Sequence, residues 1–149
     1  MPRNPTSEAR KHRIASRLES RLGPLEHWHR NRSDWYSSRD GKVDVFITDS
    51  KAHYARRPWF DMKTSDVEEL ANHPAGFIIF VLGEIDNFLV IPALHLKTEL
   101  KNYAVGRRHA NRGFFHLNLS AGKPTFEQLP NWSLVQYREK MDLIPKVSN

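Results

Sequence analysis

Residues 75–83, AGFIIFVLG, constrain this chain more than any other stretch. The run is too short to span a bilayer as a helix. Read as a strand, it carries apolar side chains on both faces, because successive residues of a strand point to opposite sides. Such a strand belongs in the interior of a sheet covered on both sides, which is the arrangement of α/β proteins.

The remaining pattern supplies the covering elements. Thr6 or Ser7 can cap a helix running to about Leu22, with Ile14, Ala15, Leu18 and Leu22 on one stripe, and Gly23 and Pro24 end it. An aromatic and polar connection follows, with room for a strand near 26–30, and Arg39-Asp40-Gly41 reads as a turn. KVDVFITDS (42–50) and PWFDMKTS (58–65) are strands by alternation and β-branched content, and they can pair as an antiparallel hairpin. SDVEELANH is a short helix capped by Ser65 or Asp66. FLVIP is a further strand, and Pro92 opens a helix over ALHLKTELKN. FFHLNLS is a strand, GKPTFEQLP a loop, and NWSLVQYREKMDLI a closing helix. With 149 residues and neither internal repeat nor low-complexity segment, the chain is expected to form one α/β domain around a mixed sheet, residues 1–6 being frayed.

Lys and Arg outnumber Asp and Glu by 23 to 17, giving a net charge of +6. A basic surface favours a polyanionic partner. The absence of cysteine excludes disulfides and thiolate metal sites. The first residues carry no apolar signal core. Together these features fit a cytoplasmic protein without membrane attachment.

Within the second predicted strand of the hairpin, Trp59, Asp61 and Lys63 share one side. Asp44 lies on the strand before it, and hairpin pairing would bring the two carboxylates together. Ionised carboxylates repel at short range, and a hard divalent cation relieves that repulsion through oxygen coordination. An ammonium beside such a metal suits phosphodiester hydrolysis. Asp61 and Lys63 also fit a plain ion pair on a solvated strand face.

The succession VDVFITD, basic loop, WFDMKTS and GFIIFVLGEIDNFLVIPA resembles the PD-(D/E)XK nuclease superfamily, over roughly residues 8–145. The resemblance implies a restriction-endonuclease-like fold, a mixed central sheet flanked by helices. It implies Asp44 and Asp61 as ligands of Mg2+, with Mn2+ as a substitute, and Lys63 as the residue that positions the attacking water. Glu19, on the first helix, matches the further acid that many members carry, and Asp49 is an alternative first acid. Val43 stands where the family's name has proline. The implied activity is metal-dependent DNA endonuclease, acting as a homodimer or higher assembly when both strands are cut. A catalytically inactive nucleic-acid-binding or protein-interaction module of the same fold is the alternative.

Arg56, Arg57, Arg107, Arg108 and Arg112, in two basic loops, are the candidate phosphate contacts, since the planar guanidinium pairs well with phosphate oxygens. Trp35, Tyr36 and Tyr54 can stack on bases or close the core. His27 and His29 alternate about Trp28, which leaves a metal ligand pair or simple polar positions open. His109 is placed to meet phosphate, and His116 to pack on its strand. Glu19 also fits a solvated helix border.

Overall fold

The computed structural model describes residues 7–27, 34–49, 59–62, 64–84, 87–104, 114–118, 124–126, 129 and 132–146. The chain is an α/β protein whose main sheet is mixed and open. Helix α1 (Ser7–Leu22) leads into β1 (Leu25–His27), β2 (Trp35–Ser38) and β3 (Asp44–Asp49). Then come β4 (Trp59–Asp61), α2 (Thr64–Ala71), β5 (Gly76–Glu84), β6 (Asn87–Pro92) and α3 (Ala93–Ala104). Strands β7 (Phe114–Asn118) and β8 (Thr125–Phe126) follow.

The five-stranded sheet has the order β1-β2-β3-β5-β6, in which β3 and β5 are parallel and the other neighbours antiparallel. The apolar run became β5, the strand expected to need cover on both sides. On one face Phe77, Ile79 and Val81 meet Val45, Ile47, Phe88 and Val90 beneath the α1 stripe of Ile14, Ala15, Leu18 and Leu22. On the other, Ile78 and Phe80 join Phe46, Leu89 and Ile91 against Val67 and Leu70 of α2 and Leu96 and Leu100 of α3. Each fully buried side chain of this size contributes about 1.5–3 kcal/mol, so the two faces together carry most of the drive to fold.

Three sequence expectations are corrected. The hairpin between 42–50 and 58–65 does not form. Both edges of β3 are occupied, by β2 and β5, and β4 pairs instead with β7 in a second sheet of order β4-β7-β8. That small sheet lies over the α2 and α3 face, where Phe60 meets Phe80 edge-on at 4.9 Å. GKPTFEQLP supplies strand β8 and is not wholly loop. The closing helix is replaced by two single-turn 3₁₀ helices, Val135–Tyr137 and Met141–Leu143. The outer edge of β6 explains the replacement. Arg138 bridges to Leu89, and the Glu139 N–H donates to the Phe88 carbonyl at 2.9 Å. Glu139 adopts φ 54°, which breaks any continuous helix there. Covering an open sheet edge has won over helical periodicity.

Helix α1 ends as its sequence prescribes. Gly23 adopts φ 74° and returns its N–H to the Glu19 carbonyl at 2.8 Å. Only glycine reaches that left-handed geometry without steric cost. The expected fraying of residues 1–6 lies outside the described residues.

Candidate functional site

Asp44 opens β3 with its backbone N–H donated to the Ala75 carbonyl at 2.8 Å, which locks the strand start to the turn before β5. Its side chain points to the α2 and α3 face and is 2% exposed. Trp35 Nε1–H donates to Oδ1 at 3.2 Å, and the Ser37 hydroxyl donates to the same oxygen. His73 Nδ1 lies 2.8 Å from Oδ2. The imidazole is only part-buried, and its ring stands 5.4 Å from that of Trp35. One carboxylate therefore ties together β2, β3 and the residues just past α2. A buried carboxylate with three such partners is well compensated for lost hydration.

Asp49, at the far end of the same strand, points to the opposite face. The Arg10 Nε contacts both of its carboxylate oxygens at 3.1 Å, and Nη2 joins Oδ2 in an ion pair. Both side chains are almost completely buried. The alternative first acid is thus held by α1.

Asp44 pairs in register with Gly76, and Thr48 with Phe80. Phe60 of β4 meets Phe80 edge-on, so β4 packs over β5 on the α2 and α3 face, the face to which Asp44 also points. His73, which meets Asp44, follows the last residue of α2, whereas Asp61 and Lys63 precede its first. The side chain of Asp61 is not among those described, and Lys63 lies outside the described residues. Glu19 is exposed on α1, on the side of the sheet away from the Asp44 carboxylate.

Of the residues expected to form the site, two have described side chains. Asp44 is enclosed by three partners, and Glu19 is on the other side of the sheet. Among the described residues no group of three or more His, Asp or Glu is placed to hold a metal. Arg56, Arg57, Arg107, Arg108 and Arg112 lie outside the described residues, as do Trp28, His29, Tyr54 and His109. Trp35 is core, with no exposed surface, and Tyr36 packs part-buried against the α1 side. His27 lies on β1 and His116 on β7.

Sequence reasoning missed His73, Ser37 and Arg10. No local spacing marks the first two, which reach Asp44 only through the sheet and the α2 crossover. Arg10 did leave a signal. It stands four residues before Ile14, on the apolar stripe itself, where a guanidinium requires a buried acid.

A second polar contact joins α3 to the chain's end. His95 Nδ1 lies 3.0 Å from the Tyr137 hydroxyl, and Trp132 packs edge-on against the phenol ring at 5.5 Å. Burial, then the nearby Glu99 carboxylate, push the Tyr137 phenol above its ordinary pKa of 10.0.

Compared with known proteins, the chain matches no family model, no curated protein and no solved structure. No helix among the described residues is long and apolar enough to cross a membrane.

Proposed function

We propose that this protein is a nucleic-acid-binding α/β domain that engages DNA without hydrolysing it. The single observation carrying this reading is the enclosed Asp44 carboxylate, whose three partners make it a structural tie at the start of β3. Support for the partner comes from the net charge of +6 and from arginine-rich stretches suited to phosphate. The reading keeps the nucleic-acid association of the resembled superfamily while assigning its first acid to the scaffold.

A metal-dependent DNA endonuclease is the second reading. One observation favours it: Asp61 ends β4 directly before α2, so the Asp-x-Lys segment sits at a strand-to-helix junction. It would carry homodimeric action on duplex DNA with it.

One experiment separates the two. Labelled duplex DNA is titrated with the protein over a salt series, and the same mixtures are incubated with Mg2+ or Mn2+ and run on a denaturing gel. Salt-sensitive binding with intact DNA is expected. Cleavage that disappears in Lys63→Ala replaces the first reading with the second. Absence of binding at low salt removes both.

A further inference from the structure

Helix α3 turns Leu96 and Leu100 into the core and carries His95 and Glu99, one turn apart, on the neighbouring flank. Residues four apart on a helix are side-chain neighbours, with about 5–6 Å between their Cβ atoms. His95 is exposed and Glu99 half-buried. His95 meets the chain's last segment through Tyr137, whose ring belongs to the core beside Leu134. The Tyr137 backbone N–H donates to the Leu134 carbonyl at 2.9 Å, and Trp132 packs edge-on against the phenol. The hydroxyl is therefore a fixed point beside α3.

The imidazole directs Nδ1 at that hydroxyl, 3.0 Å away, with the two ring centres 5.9 Å apart. Its Nε2 makes no hydrogen bond among the described residues. The Glu99 carboxylate makes neither a hydrogen bond nor an ion pair among them, with His95 or with any other residue. The two lysines of α3, Lys97 and Lys101, each stand two positions from Glu99, a spacing at which side chains do not face each other. Glu99 is nonetheless felt at the Tyr137 hydroxyl, where burial first and this carboxylate second raise the phenol pKa. Imidazole and carboxylate thus converge on one place. The phenol stays protonated there, a neutral partner for Nδ1 and not an anionic ligand.

We infer that His95 Nε2 and the Glu99 carboxylate bind a zinc ion on the outer flank of α3, with Tyr137 as the positioning residue for the imidazole. Zinc accepts imidazole nitrogen together with carboxylate oxygen, whereas magnesium and calcium favour shells of oxygen alone. A ligating histidine almost always donates its other ring N–H to a partner, which fixes the tautomer and the ring orientation. The Tyr137 oxygen supplies that acceptor for Nδ1–H. With two protein donors, water completes the shell. The site shares no residue with the Asp44 cluster and is independent of the nucleic-acid reading.

The test titrates the metal-free full chain with ZnCl2 by calorimetry and repeats the titration with MgCl2. Zinc should bind and raise the melting temperature, because a ligand held only by the native state stabilises it. His95→Ala and Glu99→Gln should each weaken zinc binding about tenfold or more, and Tyr137→Phe, which keeps the ring, should weaken it about tenfold. Melting each variant without metal separates a lost site from a lost fold. His27→Ala, from the His-Trp-His stretch, should bind as wild type does. In 15N spectra zinc should shift His95 Nε2 while Nδ1 keeps its proton. Wild type that ignores zinc, or binds magnesium equally, overturns the inference. Folded His95→Ala and Glu99→Gln that bind as wild type overturn it too, as does a loss seen in His27→Ala instead. Unchanged binding in Tyr137→Phe removes the positioning role of Tyr137.

Discussion

Both ends of β3 carry a buried aspartate, and the two are kept by different means. Asp49 faces α1 and is compensated by one permanent cation, Arg10. Asp44 faces α2 and α3 and is compensated by an indole N–H, a hydroxyl and a part-buried imidazole. The first arrangement concentrates the stabilisation in one partner. The second divides it among three. The contrast also bears on function, because acids that look equivalent along the strand are committed to opposite faces of the sheet.

The comparison breaks most visibly at Arg10. Arg10→Ala leaves a charged carboxylate under α1 without its counter-ion, and removing one partner of a buried pair costs about 3–5 kcal/mol. Chemical denaturation should show that loss, and replacing both partners, Arg10→Met with Asp49→Leu, should recover most of it. If Arg10→Ala costs less than about 1 kcal/mol, water reaches Asp49 and the two ends are more alike than their burial indicates.

Crowding sharpens the contrast at the Asp44 end. A Cβ at Gly76, the registered partner of Asp44, would run into the backbone carbonyl oxygen of Leu70. Backbone yields less readily than a side-chain tip, so Gly76→Ala should cost about 1–3 kcal/mol or more. A thermal melt equal to wild type would mean that the α2–β5 connection is looser than this packing requires.

Asp44→Asn tests whether the charge itself matters. The amide oxygen can still accept from Trp35 and Ser37, while its NH2 can serve His73 only as a donor. An expected loss of about 1–3 kcal/mol follows from weakened or mismatched hydrogen bonds. A stabilised Asn variant would indicate that the carboxylate is held at a cost, as functional acids often are.

Much of the architecture was legible because it depends on local pattern. The α1 stripe and its Gly23-Pro24 stop needed only helical periodicity and a glycine able to reach φ 74°. The double-sided burial of β5 followed from consecutive apolar residues. What failed depended on competition between distant segments. Alternation marked strands in 42–50 and 58–65, the second shortened to Trp59–Asp61 because Thr64 and Ser65 open α2, but could not tell that β5 would take the β3 edge. The closing segment has helical spacing, yet its backbone is drawn to the free edge of β6. For the candidate site, Asp44 was readable as a candidate acid, and its partners His73 and Ser37 were not. His73 is 29 positions away and meets it only because α2 runs back along the sheet.

The smallest expected effect comes from Ser37→Ala. It removes one of two donors to Oδ1 and leaves Trp35 and His73 in place. A single hydrogen bond contributes about 0.5–1.5 kcal/mol net, so the melting temperature should fall by about 1–6 °C for a chain of this size. The variant also offers Asp44 an oxygen lone pair freed from the hydroxyl, making it the most favourable background in which to detect cation binding there. A ligand that binds only the native state raises its stability. For a structural tie, 10 mM Mg2+ should shift the melting temperatures of wild type and Ser37→Ala equally. A larger shift in the variant that vanishes in Ser37→Ala with Asp44→Asn would assign Asp44 to a metal site, and the distinction between the two ends of β3 would then be one of catalysis rather than of scaffold.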